Sequence, residues 1–274
     1  MKLNAFAKDQ FRVRLEKLSE QFEKAHKVAD DEAIHDLRVA IRRFTQVLLV
    51  FRRLLPVRKV ESARKKLKKI MRAAGEVRNL DVALIAIGAQ APAGLKKKLE
   101  AMREKASAKL NQRVSRALKS DWADGWHAHL KFGHSRLEVH EFADRALPKL
   151  QRAFLAEGDS AAAPDSSPVT LHQFRIATKR LRYTLELFVL LEESETEERL
   201  EVLRGLQQLL GDIHDSVVNA QLIHDLKGPA AIEQKLAKRQ AQFTAKFRTN
   251  WPKLRTALDK PRESVPPTAR KTKK

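Results

Sequence analysis

Apolar residues recur at three- and four-residue spacing through almost the whole chain, while the strict alternation of a half-buried strand is nearly absent. Breakers are sparse, with nine Gly and ten Pro in 274 residues. The spacing predicts helices at about 3–29, 33–55, 60–89, 94–120, 135–157, 169–191, 195–226 and 229–257. Eight helices fall naturally into two sets of four, so the expected fold is all-α, two four-helix bundles. The expected division is a first half at 1–134, a second at 135–258 and a disordered basic tail at 259–274. A segment at 121–135, rich in Trp, Gly and His, reads as the junction, and 158–168, with Gly, Ser, Asp and Pro, as a flexible loop.

On the second predicted helix, Ile34, Leu37, Ile41, Phe44, Leu48, Phe51 and Leu55 share one face at ~100° per residue. That face belongs to the core. The opposite face carries His35, Arg38, Arg42 and Arg53, with Gln46 and Leu49 between them. Arg43 adjoins the stripe. The sixth helix repeats the arrangement: Phe174, Leu181, Leu185 and Phe188 point inward, while His172, Arg175, Lys179 and the phenol of Tyr183 form the polar stripe, flanked by Arg180 and Arg182. Stacked like charges repel unless something negative bridges them. A charged stripe is ordinarily a solvated face. Its recurrence 137 residues on, led each time by His, points instead to an internal duplication whose halves share one anionic ligand.

Overall charge agrees, since 55 Lys and Arg against 34 Asp and Glu leave a net charge of +21 and a preference for polyanionic partners. The tail accounts for six cations and two acids, so the excess resides in the folded part. Cysteine is absent, which excludes disulfides and thiolate metal sites. No apolar run approaches the ~18 residues of a membrane span. The opening Met1-Lys2-Leu3-Asn4-Ala5-Phe6 lacks a signal-peptide core, so a cytoplasmic protein without membrane partners is expected.

A second repeated element follows each stripe, residues 67–82 aligning with 203–218. Gly75 and Gly211 sit inside predicted helices, where Gly costs ~1 kcal/mol relative to Ala, and a close helix crossing would explain both. Lys68, Arg72 and Arg78 would then look into the space in front of the first stripe. In the second copy Arg204 and His214 keep that character, with Gln208 in place of the middle cation.

With its His-x-x-Arg-x-x-x-Lys/Arg-Arg helices, the Lys179-Arg180-Leu181-Arg182-Tyr183 string and the repeated Gly-x-x-Arg/His pattern, the chain resembles the CHAD family, the conserved histidine α-helical domain, over about residues 3–257. The resemblance implies two pseudo-symmetric four-helix bundles around a basic central groove that binds inorganic polyphosphate, often on polyphosphate granules. Matched residue by residue, it places His35, Arg38, Arg42, Arg43, Lys68, Arg72 and Arg78 in one half of that groove. His172, Arg175, Lys179, Arg180, Arg182 and Arg204 match the other half. Three positions depart from the pattern: Asn79 stands where an Asp is usual, Ala74 where Leu precedes the glycine, and 216–218 lack the later Asp that Asp81 supplies earlier.

Polyphosphate suits these residue types. Each unit carries about one negative charge, Arg forks take phosphate oxygens bidentately, and Lys supplies an adaptable point charge. Nucleic acid is one competing ligand, and the tail would bind it without specificity. The chain has one Tyr and three Trp, few aromatic platforms for stacking bases, and no zinc-finger or helix-turn-helix lettering. Metal-dependent phosphohydrolysis is another competitor, suggested by His-Asp at 35–36, 214–215 and 224–225. Adjacent helical residues diverge by ~100°, and no acidic cluster is available to hold Mg²⁺ between phosphates. His127, His129, His134 and His140 near Trp122 and Trp126 lack a regular ligand pattern and read as junction loop. The expectation is therefore a non-enzymatic polyphosphate binder with neither metal nor cofactor, its oligomeric state open.

Overall fold

The computed structural model describes residues 1–88, 91–119, 132–189 and 193–260. Eight α-helices follow in order: α1 (Leu3–Lys27), α2 (Asp31–Val50), α3 (Val57–Ile87), α4 (Ala93–Lys119), α5 (Val139–Ala162), α6 (Pro168–Phe188), α7 (Glu193–Asp225) and α8 (Ala230–Asp259). The fold is all-α, as the periodicity predicts. His127, His129, Trp122, Trp126 and 261–274 lie outside the described residues.

Local chemistry sets several ends. Asp30 caps α2 by accepting from the Ala33 N–H at 2.7 Å, and Ser167 caps α6 through the Thr170 N–H at 3.1 Å with Pro168 in the first turn. The predicted second helix runs too far. α2 stops at Val50, a 3-10 turn follows at Arg52–Leu54, and Leu55 is extended (φ −117°, ψ 147°) because Pro56 disfavours the helical region for its predecessor. Arg53 consequently leaves the stripe. The predicted loop at 158–168 is too long, since α5 continues through Ala162 and α6 already begins at Pro168. Gly158 holds that stretch against Trp251: a Cβ on Gly158 would lie 2.1 Å from Trp251 Cζ2, and the indole Nε1–H donates to Asp159 at 2.9 Å.

Helices α1 to α4 pack as a ring, α1 on α2, α2 on α3, α3 on α4 and α4 back on α1; α5 to α8 repeat the same order. The rings meet like on like, α1 against α5, α2 against α6 and α3 against α7. The expected core face of α2 is buried from Ile34 to Leu55, as are Phe174, Leu181, Leu185 and Phe188 of α6. Between the rings, Phe6, Phe51, Phe142 and Phe188 form an aromatic cluster with centroid separations of 5.8 to 6.4 Å. The starts of α1 and α5 are clasped by backbone hydrogen bonds from Leu3 N to Leu137 O (3.0 Å) and by the Lys2–Glu138 ion pair (2.6 Å).

This junction fixes the crossing of α2 over α6. Gln46 Nε2 donates to Thr184 Oγ1 at 2.8 Å in a buried contact, and Arg43 Nε reaches Glu186 at 2.9 Å. Arg182 also pairs with Glu186 and donates to Gln207 Oε1 at 2.8 Å, linking α7. A half-buried carboxylate is thereby shared by Arg182, which is largely withdrawn from water, and by the more exposed Arg43.

Candidate functional site

Arg38 and Arg42 project from α2, and Arg175 and Lys179 from α6, close enough that the charge on Arg42 helps to lower Arg38, Arg175 and Lys179. Burial is the larger cause in each shifted group. It pushes Arg38 down to about 10, with Arg42, Arg175 and Arg78 adding repulsion. Lys179 falls to about 6, through burial and then Arg42, Arg175 and Arg38. Arg175 is lowered as well, by burial opposed by Asp215. Asp215 of α7 is the carboxylate that acts on Arg38, Arg175 and Lys179 alike, and burial lifts its own pKa against the pull of Arg175.

Above this crossing opens a cavity of about 720 Å³ between α2, α3 and α6. Its cations are Arg42 from α2, Arg64, Lys65 and Lys68 from α3, and Arg175, Lys179 and Arg180 from α6, with Glu61 the carboxylate among its lining residues. Ile41, Leu49, Met71, Ile176 and Tyr183 complete much of the wall. Arg175 Nε and Tyr183 Oη are buried without a hydrogen-bond partner among the described residues. Such atoms are uncommon in folded proteins and mark a place where a partner is missing or a ligand is received.

Toward the other end of the crossing lie the histidines. His172 and His214 lie ring to ring, tilted by 36° with centroids 4.8 Å apart, and their Nδ1 atoms are within hydrogen-bond distance at 3.3 Å. Burial and then Arg175 push His214 down to about 4, and burial followed by Arg175 and Lys179 lowers His172. His35 stands beside Arg78, lowered by desolvation and then by that guanidinium. Arg78 itself pairs with Asp31. Gly75 opens this end: a Cβ there would sit 2.9 Å from Arg38 Nη1, so the glycine makes room for a guanidinium. Gly211 has nothing within 4 Å of an added Cβ, so a close crossing does not account for it.

The structure thus gathers His35, Arg38, Arg42, Lys68, Arg78, His172, Arg175, Lys179 and Arg180 around one continuous basic region. Four expected site residues stand elsewhere. Arg43 and Arg182 are engaged by Glu186. Arg72 is exposed on α3 beyond the cavity lining. Arg204 is tied to Glu197 and Glu201, each at 2.9 Å. Sequence reasoning missed Arg64 and Lys65, although with Glu61 and Lys68 they share one helical face at three- and four-residue spacing. It also missed Asp215, whose importance rests on burial that no local pattern reveals. Among the described residues no group of three His, Cys, Asp or Glu side chains is placed to hold a metal ion. None of the helices is long and apolar enough to cross a membrane.

Two like-on-like rings of four helices with a deep cationic groove at their crossing define an all-helical protein built around a positive centre. The family model described as the CHAD domain matches residues 9–224, and the chain belongs to the CHAD family. It is similar in structure to the crystal structure of the CHAD domain from the plant Ricinus communis, with a TM-score of 0.69 at 20% identity, covering 96% of this chain and 93% of that one. It is also similar to PptA from Streptomyces chartreusis, with a TM-score of 0.60 at 15% identity over 94% and 98% of the two chains. A search of curated proteins found no match to this sequence.

Proposed function

We propose that the chain binds inorganic polyphosphate along this groove and holds it without hydrolysis, as a scaffold or granule-associated factor. The observation that carries the reading is the set of half-buried basic side chains Arg38, Arg42, Arg175 and Lys179 gathered at one helix crossing, with Asp215 the carboxylate acting on Arg38, Arg175 and Lys179. Keeping such groups together without a ligand is unfavourable, and a polyanion relieves desolvation and repulsion together. A flexible chain with one charge per unit can follow the groove from Arg64 and Lys68, across Arg42 and Lys179, to Arg38 and Arg175. Membership of the CHAD family favours the same ligand class. The buried, unpartnered Arg175 Nε and Tyr183 Oη are donors that phosphate oxygens would satisfy.

The test is titration of the purified protein with long-chain polyphosphate, competed with single-stranded DNA, orthophosphate and a mononucleotide at several salt concentrations. Polyphosphate should win at equal charge. Arg38→Ala and Arg175→Ala should each weaken it by ~1.5–3 kcal/mol, as for hydrogen bonds to charged groups. Deleting 261–274 should cost less, because none of the cations gathered at the groove belongs to that segment. Equal competition by single-stranded DNA would overturn the specificity. Phosphate release with Mg²⁺, Mn²⁺ or Zn²⁺ that vanishes on replacing His35, Asp36 or His214 would overturn the non-catalytic part.

A further inference from the structure

The groove is not lined as a site for a purely inorganic ligand would be. Ile176 is 48% exposed, one of few large apolar side chains of the fold to face solvent so openly, and it does so inside the cationic cavity. Leu49 of α2 and Met71 of α3 line the same space half-buried. Along α2, Leu49 lies seven residues beyond Arg42, about 10 Å at 1.5 Å per residue. Glu61 and Thr45 line this region too, a carboxylate acceptor and a hydroxyl beside the apolar wall. An inorganic phosphate chain gains nothing from covering Leu49, Met71 and Ile176, and its desolvation beside them is unfavourable. A ligand joining a flat apolar group to a short run of phosphates would use both surfaces.

We infer that the groove takes a nucleoside triphosphate, its base against Ile176 and Leu49 and its phosphates on Arg42, Lys68 and Lys179. This deepens the polyphosphate reading, since it uses the same cations. The cavity of about 720 Å³ lies within the ~300–1,000 Å³ range of small-molecule sites. Glu61 is placed to accept from an exocyclic amino group, whereas it would repel a bare phosphate chain. A long polyphosphate still binds more tightly overall, because it reaches past the cavity toward Arg38 and Arg78. Short inorganic chains have no such extension and no base.

The experiment is calorimetric titration of the full chain with ATP and with inorganic tripolyphosphate, without divalent cations and at matched ionic strength, for the wild type and for Ile176→Ser. Tripolyphosphate has more ionisable oxygens than ATP, so charge alone predicts that it binds at least as tightly. ATP is expected to bind roughly tenfold tighter, the equivalent of burying about 50 Å² of aliphatic surface under one ring face at ~25 cal/mol per Å². Ile176→Ser, at a position already largely exposed, should bring the ratio of the two affinities toward one. Long-chain polyphosphate should displace ATP. Equal affinities in the wild type, or a ratio that Ile176→Ser leaves unchanged, would overturn the inference while leaving the polyphosphate reading intact. Failure of ATP, tripolyphosphate and long-chain polyphosphate alike would remove both.

Discussion

Lys179 offers the most exacting test of the electrostatics. In the empty groove its ammonium is pushed down to about 6, first by burial and then by Arg42, Arg175 and Arg38, with Asp215 alone acting in the opposite sense. At pH 7.5 the side chain is therefore mostly neutral, and charging it costs on the order of 2 kcal/mol at 1.36 kcal/mol per pH unit. An arriving phosphate oxygen replaces lost solvation and opposes the neighbouring guanidiniums, so the bound-state pKa rises toward the ordinary lysine value. Binding at pH 7.5 should then take up about one proton. Affinity should fall about tenfold per unit as pH rises from 7.5 to 9, because the empty state must acquire that proton to bind. His214, held at about 4, and His172, also lowered, are neutral in this window when the groove is empty. Arg38, at about 10, begins to contribute only above it.

Titration calorimetry in buffers of different ionisation enthalpy reads the proton count directly. Lys179→Arg keeps its charge at every pH used. That variant should lose the uptake, flatten the pH dependence and gain up to ~30-fold in affinity at pH 7.5, the equivalent of ~2 kcal/mol. The unliganded wild type should also become more stable as pH rises from 7 to 9, since the unfolded chain holds the Lys179 proton that the folded one has lost. Proton uptake near zero in the wild type, or uptake of the same size in Lys179→Arg, would refute the reasoning.

Three further outcomes concern the scaffold. Gly158→Ala should destabilise the fold by ~2–3 kcal/mol in urea denaturation, because its Cβ would meet Trp251 Cζ2 at 2.1 Å and Phe174 Cζ at 2.9 Å. Gly211→Ala should stabilise by ~0.5–1 kcal/mol in the same assay, since nothing lies within 4 Å of the new methyl and alanine is the better helix former. Glu186→Gln should lower stability by ~1–2 kcal/mol, chiefly by leaving the Arg182 guanidinium without its carboxylate while the more exposed Arg43 turns to water, and a thermal melt of the variant without ligand would show it.

The helices were legible because periodicity is a local property. The buried face from Ile34 to Leu48 follows from spacing alone, and Pro56 is by itself reason enough to end the second helix early, since it keeps Leu55 out of helical backbone. The continuation of α5 through 158–162 was not legible. Gly158, Asp159 and Ser160 have the composition of a loop, and what holds them helical is Trp251, more than ninety residues away. Composition measures what a segment prefers in isolation, whereas a packed indole supplies what it lacks.

The same distinction governs the site. Lys68 and Arg204 align with one another and carry the same charge, yet Lys68 lines the groove while Arg204 is held by carboxylates. The difference was written one turn away. A glutamate stands seven residues before each, Glu61 and Glu197, but three residues before Arg204 comes Glu201, whereas the corresponding residue before Lys68 is the cation Lys65. Arg43 and Arg182 could not be sorted in this way, because their shared partner Glu186 joins them only where α2 crosses α6. A cation's residue type announces its charge. Whether that charge is free for a ligand depends on the nearest carboxylate, and the groove consequently opens beside α3 and not beside the corresponding turn of α7.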